Sequence, residues 1–116
     1  MKEYFPGVEK IQYEGPDSKN PLSFKHYNSS EMIMGKSMAD HLRFAVCYWH
    51  TFKGLGSDQF GAPTIIRKYN DSSDPMQQAE ETMYAAFEFF TKLGVNFWCF
   101  HDRDIAPEAD TLAETN

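Results

Sequence analysis

The 116-residue sequence has few cysteines, no basic cluster and no long apolar run. Its 2 cysteines, Cys47 and Cys99, both lie within apolar stretches. We therefore expect small, buried, free thiols in a reducing compartment, with a disulfide as the less favoured alternative. Nothing approaches the roughly 20 apolar residues of a membrane span. The opening residues, 1–16, lack the apolar core of a signal peptide. Together these absences favour a cytoplasmic protein.

The charge balance is acidic, with 11 Lys and Arg against 17 Asp and Glu and a formal net charge of −6. An acidic chain gains little from releasing phosphate counterions, which argues against nucleic acid and against anionic membranes as partners. Hydrophobic residues make up 41% and charged residues 24%, as in soluble globular domains. The 16% of aromatic residues must be buried in the chain's own core, or against further chain or a partner.

Two regions differ in their patterning. Residues 1–41 alternate turn-forming segments with isolated aromatics, which predicts an irregular amino-terminal extension pinned to a surface at intervals. Within it, residues 37–41 suit a short helical turn capped by Ser37. Residues 42–116 predict a βαβ unit: an apolar strand over 42–49, a long loop over 53–75, a helix, and a second strand over 95–100.

The helix carries the strongest local signals. Asp74 suits the N-cap, Pro75 the first helical position and Gly94 the left-handed C-terminal stop. Apolar residues recur at spacings of three and four and predict one buried stripe, formed by Met76, Ala79, Met83, Ala86, Phe87, Phe90 and Leu93.

Two strands that both look buried on two faces cannot be covered by a single helix. This mismatch predicts that the chain is part of a larger α/β domain. A (β/α)₈ barrel needs about 250 residues, more than twice the length present.

His101 directly follows the second strand, at the sheet edge where α/β proteins gather ligands and catalytic groups. Asp104, three residues later, is placed to reach back to the imidazole and raise its basicity. Asp102 is a rival partner that we expect to point away, and Arg103 could pair with either carboxylate. A capped loop histidine without a catalytic role is the alternative.

The sequence resembles the xylose isomerases along its whole length. Residues 100–108, FHDRDIAPE, are similar to a family signature after the second barrel strand. Residues 85–95, AAFEFFTKLGV, resemble the family's first barrel helix, and residues 44–52, FAVCYWHTF, its first strand. Residues 4–5 and 11–16 resemble the longer, class II form, which has an amino-terminal extension.

The resemblance implies the amino-terminal portion of a TIM barrel, usually a homotetramer. Its members interconvert D-xylose with D-xylulose and D-glucose with D-fructose by a hydride shift assisted by two divalent ions (Mg²⁺, Mn²⁺ or Co²⁺). It further implies that His101 contacts the sugar's ring oxygen and that Asp104 orients it. Trp49 would line the sugar pocket, with core packing as the alternative. Phe60 would enter a neighbouring subunit's pocket, with an ordinary loop anchor as the alternative.

The family's metal ligands and catalytic lysine lie in later strands, and we expect no metal ligands in this chain. We therefore expect the 116 residues to lack isomerase activity by themselves. Alternatively, they form an interaction or complementation module that docks on the remaining barrel, or an unrelated small binding domain. Ala109 stands where the family usually has glycine or a small acidic residue, and it would cost about 1 kcal/mol if that position required a positive φ.

Overall fold

The computed structural model describes residues 2–116. A two-residue hairpin, β1 and β2, precedes the short helix α1, and a parallel pair, β3 and β4, flanks the long helix α2. Two one-turn helices, α3 and α4, end the chain. Their bounds are Met32–Ile33 (β1), Lys36–Ser37 (β2), Met38–His41 (α1), Ala45–Cys47 (β3), Pro75–Leu93 (α2), Phe97–Cys99 (β4), Asp102–Ile105 (α3) and Leu112–Thr115 (α4). The predicted turn at 37–41 is confirmed, because the Ser37 side chain accepts from Asp40 N at 3.2 Å.

The predicted βαβ unit is present. β3 and β4 pair in parallel, with Val46 opposite Trp98 and Cys47 opposite Cys99. Both strands are shorter than predicted, and the first ends early because the chain after Tyr48 winds into a π-helical turn over Trp49–Lys53. The prediction of burial on two faces is wrong for both strands, whose alternate residues are exposed or half-buried. One helix covers one face of a two-stranded sheet, and nothing among residues 2–116 covers the other.

Helix α2 begins and ends as predicted. The Asp74 carboxylate accepts from Met76 N at 3.0 Å, and Gly94 closes the helix at φ 78° with its N–H bonded to Phe90 O. The predicted stripe is only partly correct, because Met76 and Phe87 are about half exposed. The buried face is rotated toward smaller side chains, which let the helix approach the sheet closely; it comprises Ala79, Thr82, Ala85, Ala86 and Phe90.

The amino-terminal arm lies across α2. Glu88 accepts hydrogen bonds from the backbone N–H groups of Tyr4 at 2.7 Å and Phe5 at 3.0 Å, and Lys92 donates to Glu88 at 2.9 Å. Further along, Ile11 N donates to Lys92 O at 2.7 Å. The predicted pinning of the arm is thereby confirmed, with one helical carboxylate satisfying two consecutive backbone donors.

A small aromatic core joins the arm, sheet and helix. Tyr48 and Phe52 are its largest fully buried side chains, and their rings lie 5.2 Å apart. The radius of gyration is 17.6 Å, against about 13 Å for a compact domain of roughly 100 residues. Residues 2–116 therefore form an open α/β unit without a closed barrel. Within this range, no helix combines the length and the apolar character that crossing a bilayer requires.

Candidate functional site

His101 and Asp104 meet at the carboxyl end of β4. His101 is the N-cap of α3, and the Asp104 carboxylate reaches back to it across one turn. Asp104 Oδ2 lies 2.8 Å from the His101 backbone N and 3.1 Å from the ring Nδ1. The imidazole is 64% exposed, whereas the Asp104 side chain is only 14% exposed. A half-buried carboxylate thus holds one ring nitrogen of an imidazole that remains largely exposed.

The neighbouring charged residues do not compete for the imidazole. Asp102 Oδ1 accepts from Arg103 N at 2.8 Å, so this carboxylate is bonded to the next backbone N–H and not to the His101 ring, as its position next to His101 led us to expect. Arg103 bonds to neither carboxylate through its guanidinium, which donates to Pro107 O at 3.3 Å. Asp104 is therefore the single carboxylate partner of His101 among residues 2–116.

Trp49 forms a wall beside the imidazole. Its indole centroid lies 4.3 Å from that of His101 and 5.6 Å from that of His50. The sheet register explains the first contact, since Trp49 and His101 each lie two residues beyond the paired Cys47 and Cys99. Trp49 is half-buried and lies beside His101, and its predicted contact with a sugar stays a prediction.

The thiols of Cys47 and Cys99 lie side by side on the paired strands, two residues before Trp49 and His101. Both are free, as expected, but the expectation of burial is wrong: Cys47 is half-buried and Cys99 exposed. They project from the sheet face that α2 does not cover. The Cys99 thiol lies 3.7 Å from Val46 O.

Tyr48 is a residue that the sequence interpretation missed. Its side chain is fully buried under Trp98 and Phe52, and its hydroxyl has no hydrogen-bond partner within residues 2–116. Burial, then the neighbouring Tyr69 and Asp104, raises the pKa of Tyr48 to about 12. The only sequence signal was its position next to Trp49 in a strand that looked uniformly apolar.

Comparison with known sequences gives one consistent result. No protein-family model matches the chain. It is 61% identical over 114 residues to a xylose isomerase of Caldanaerobacter subterraneus subsp. yonseiensis, and 59% identical over 116 residues to one of Thermoanaerobacterium saccharolyticum. A xylose isomerase of Hordeum vulgare is 58% identical over 114 residues. These alignments cover 98%, 100% and 98% of this chain.

Along its whole length, the chain is related to the xylose isomerases. It spans about a quarter of the length of these relatives: 26% for the two bacterial proteins and 24% for the barley protein. An open βαβ unit agrees with part of the TIM barrel that the xylose isomerase relationship implies.

Phe60, which the resemblance to xylose isomerases singles out, lies at the surface. Its side chain is 88% exposed, and its backbone N donates to Asp58 Oδ1 at 2.8 Å. The loop that carries it is closed at its stem by Arg67, which donates to Gly54 O at 3.3 and 3.1 Å. The structure therefore presents Phe60 outward on a fastened loop.

The structure also bears on the metal ions that the xylose isomerase relationship implies. The described residues contain no group of three or more His, Cys, Asp or Glu arranged to hold a metal ion. The residues present thus do not fit the family's metal ions.

Ala109 has no positive φ, and its N–H and carbonyl both face Thr115 Oγ1, at 3.2 and 3.5 Å. The concern that alanine strains this loop is therefore wrong.

Proposed function

We propose that the chain supplies the acid–base pair that opens the sugar ring in an aldose–ketose isomerase acting on D-xylose and D-glucose. The observation that carries the proposal is the 3.1 Å contact between His101 Nδ1 and Asp104 Oδ2 on an exposed imidazole. We take the reaction class from the xylose isomerases to which the chain is 58–61% identical.

The chemistry follows from where the proton is held. A carboxylate beside Nδ1 favours the tautomer with hydrogen on that nitrogen, and it stabilises the imidazolium formed when Nε2 also gains a proton. The imidazolium donates its Nε2 proton to the ring oxygen as the bond from that oxygen to C1 breaks. The neutral Nε2 then takes the proton of the anomeric hydroxyl, directly or through solvent, which leaves the open-chain aldehyde and restores the imidazolium.

Trp49 supplies the apolar wall against which a sugar ring would lie. The indole already contacts the imidazole, so a ring seated on it would bring its oxygen near Nε2. We assign Phe60 to a different pocket, that of a neighbouring subunit in a cytoplasmic homotetramer, because its side chain points into solvent from a fastened loop.

The hydride shift is not assigned to these residues. The relationship implies that two divalent ions such as Mg²⁺, Mn²⁺ or Co²⁺ polarise the open-chain sugar. We infer that their ligands lie outside this chain. The 116 residues alone are accordingly expected to form no xylulose from xylose in a coupled assay.

A chimera tests the proposal directly. The matched segment of the Thermoanaerobacterium saccharolyticum enzyme is replaced by this chain, which aligns with it over all 116 residues. We expect an active isomerase, in which His101→Asn or Asp104→Asn lowers kcat/KM by about 10²-fold or more. Asp102→Asn is the matched control and should leave turnover nearly unchanged. A His101→Asn chimera with full activity would refute the assignment.

A second candidate function is a complementation module that docks on the rest of a barrel. The observation in its favour is the open sheet, where Phe44 and Phe97 are 53% and 51% exposed. Mixing the chain with the remaining part of the same relative should restore activity if docking occurs without a covalent link. An active chimera combined with inactive mixtures would favour the single-chain enzyme.

A further inference from the structure

Trp49 lies in a segment that the parallel sheet does not hold. The ladder between β3 and β4 ends at Cys47, and Trp49 is the first residue of the π-helical turn over Trp49–Lys53. Such turns are rare and are frequent at functional sites. The position of the indole beside His101 therefore depends on what keeps this turn wound.

The turn is closed tightly at its carboxyl end. Gly54 follows it at φ −62°, a value open to any residue, so the backbone conformation does not call for glycine. A Cβ on Gly54 would lie 2.8 Å from the His50 carbonyl oxygen, closer than a side chain approaches backbone in folded proteins. The close approach of Gly54 to the second residue of the turn explains the glycine.

The side chain of Arg67 reaches this same end of the turn. Its Nε and Nη2 donate to Gly54 O at 3.3 and 3.1 Å, and its Nη1 donates to the Tyr69 hydroxyl at 2.8 Å. The Tyr69 hydroxyl in turn donates to Phe52 O at 3.4 Å. Two carbonyls at the end of the turn, those of Phe52 and Gly54, are thus satisfied from the far side of the loop.

These bonds are the whole polar environment of the guanidinium. Arg67 is half-buried and forms no ion pair with any of residues 2–116. Its planar fork matches a single acceptor with two donors, which a lysine ammonium does not reproduce. Because Phe52 is anchored in the core at 1% exposure, the turn cannot rewind without breaking these bonds. Rewinding would rotate Trp49 relative to His101.

We propose that Arg67 is a positioning residue for the acid–base pair: its guanidinium fork caps the end of the π-helical turn and thereby holds the Trp49 indole against the His101 imidazole. The same bonds close the stem of the loop that carries Phe60. One side chain therefore fastens both aromatic residues that the resemblance assigns to sugar pockets. The role in catalysis rests on the proposed function, but the test uses neither sugar nor turnover, so the two can fail separately.

The test is proton NMR of the folded 116-residue chain carrying Arg67→Ala or Arg67→Lys. In the parent chain, the Trp49 and His101 rings, with centroids 4.3 Å apart, should give through-space cross-peaks. We expect these cross-peaks to lose most of their intensity in Arg67→Ala, and the His101 ring protons to shift as the indole moves away. Arg67→Lys keeps the charge and lacks the fork, and it should show the same loss if Arg67→Ala does not fold. Parent-like cross-peaks in either folded variant would overturn the proposal.

Two controls separate this effect from general damage. Glu88→Gln weakens a different fastening, that of the amino-terminal arm, and should lower stability while the cross-peaks between Trp49 and His101 remain. Lys68→Ala removes an exposed positive charge next to Arg67 and should leave the cross-peaks unchanged. An equal loss of cross-peaks in Glu88→Gln would contradict the proposal, because the contact would then follow overall stability.

Tyr69→Phe tests the order of the connection. It removes the bond to Phe52 O and one acceptor of Arg67, but it leaves the fork on Gly54 O in place. The cross-peaks should therefore weaken less than in Arg67→Ala. A greater loss in Tyr69→Phe than in Arg67→Ala would assign the positioning role to Tyr69 and refute the role of the fork.

Discussion

Glu88 and Tyr4, 84 positions apart, are joined by a 2.7 Å hydrogen bond from the Tyr4 backbone N–H to the Glu88 carboxylate. The carboxylate also accepts from Phe5 N and Lys92 Nζ. One helical side chain therefore fastens the start of the chain to α2. The stability that these Glu88 contacts contribute should depend on pH.

We predict that Glu88→Gln lowers the free energy of unfolding by about 1–2 kcal/mol at neutral pH, because its charge-assisted hydrogen bonds are weakened. Burial alone would raise the pKa of Glu88, but the bonds from Lys92, Tyr4 and Phe5 outweigh it, so the pKa lies below the ordinary 4.5. The folded state thus binds this proton less readily than the unfolded chain. The stabilisation is present above about pH 4.5 and is lost as the pH falls through the lowered pKa.

Urea unfolding of both proteins between pH 7 and pH 3 checks the prediction. The difference between parent and Glu88→Gln should shrink as the solution is acidified. Glu80→Gln, on the exposed surface of the same helix, serves as the control. A gap that stays constant down to pH 3 would contradict the assignment.

Phe52 should be the costliest truncation in the core. Its ring is 1% exposed and lies within 6 Å of the rings of Tyr48, Phe89 and Phe90. Phe52→Ala is expected to remove about 3–5 kcal/mol of stability through lost burial and an unfilled cavity. Phe60→Ala, at an 88% exposed ring, should change stability by less than about 0.5 kcal/mol. Denaturant midpoints of the two variants provide the comparison, and equal midpoints would refute the described core.

The stem of the Phe60 loop should not tolerate a side chain at Gly56. The residue has φ 70°, and a Cβ there would lie 2.6 Å from side-chain atoms of both Ile65 and Thr64. Gly7, at φ 76°, has open space around the same position. Gly7→Ala should therefore cost about 1 kcal/mol from backbone strain alone, and Gly56→Ala should cost more.

Limited proteolysis gives a local readout for these glycine variants. Cleavage within the loop over residues 54–67 should be faster in Gly56→Ala and unchanged in Gly7→Ala. Cleavage of both variants at the parent's rate would contradict the prediction and would show that the bonds from Arg67 to Gly54 O hold the loop without Gly56.

Trp49 should matter for turnover more than for folding. In the chimera, Trp49→Ala removes the wall beside His101, and we expect kcat/KM to fall about 10-fold or more through misplacement of the sugar and imidazole. Leu55→Ala, a truncation at a residue that is 46% exposed, serves as the control for a general loss of packing. Steady-state assays with xylose measure both, and a Trp49→Ala enzyme at full activity would assign Trp49 to packing alone.

The elements that follow from local chemistry were predicted well. Asp74, Pro75 and Gly94 bracket a helix because capping and left-handed termination depend on residues a few positions apart. The meeting of His101 with Asp104 was predictable for the same reason, since one turn brings the N-cap and the third helical residue together.

Contacts that depend on tertiary structure were not predictable in the same way. The apolar pattern of α2 misplaced Met76 and Phe87, because periodicity identifies an apolar face but not how much of it a small sheet covers. The same limit applies to the strands, which looked buried on both faces and are covered on one.

The sequence by itself determined the helix limits, the parallel strand order, the turn that joins His101 to Asp104 and the relationship to xylose isomerases. Only the tertiary structure decided that Glu88 holds the amino-terminal arm, that Trp49 contacts His101 and that the Tyr48 hydroxyl is buried without a hydrogen-bond partner among residues 2–116. The reason is physical: caps and turns are fixed by neighbours in the chain. Contacts between distant residues depend on the packing of helix against sheet, which local patterns do not encode.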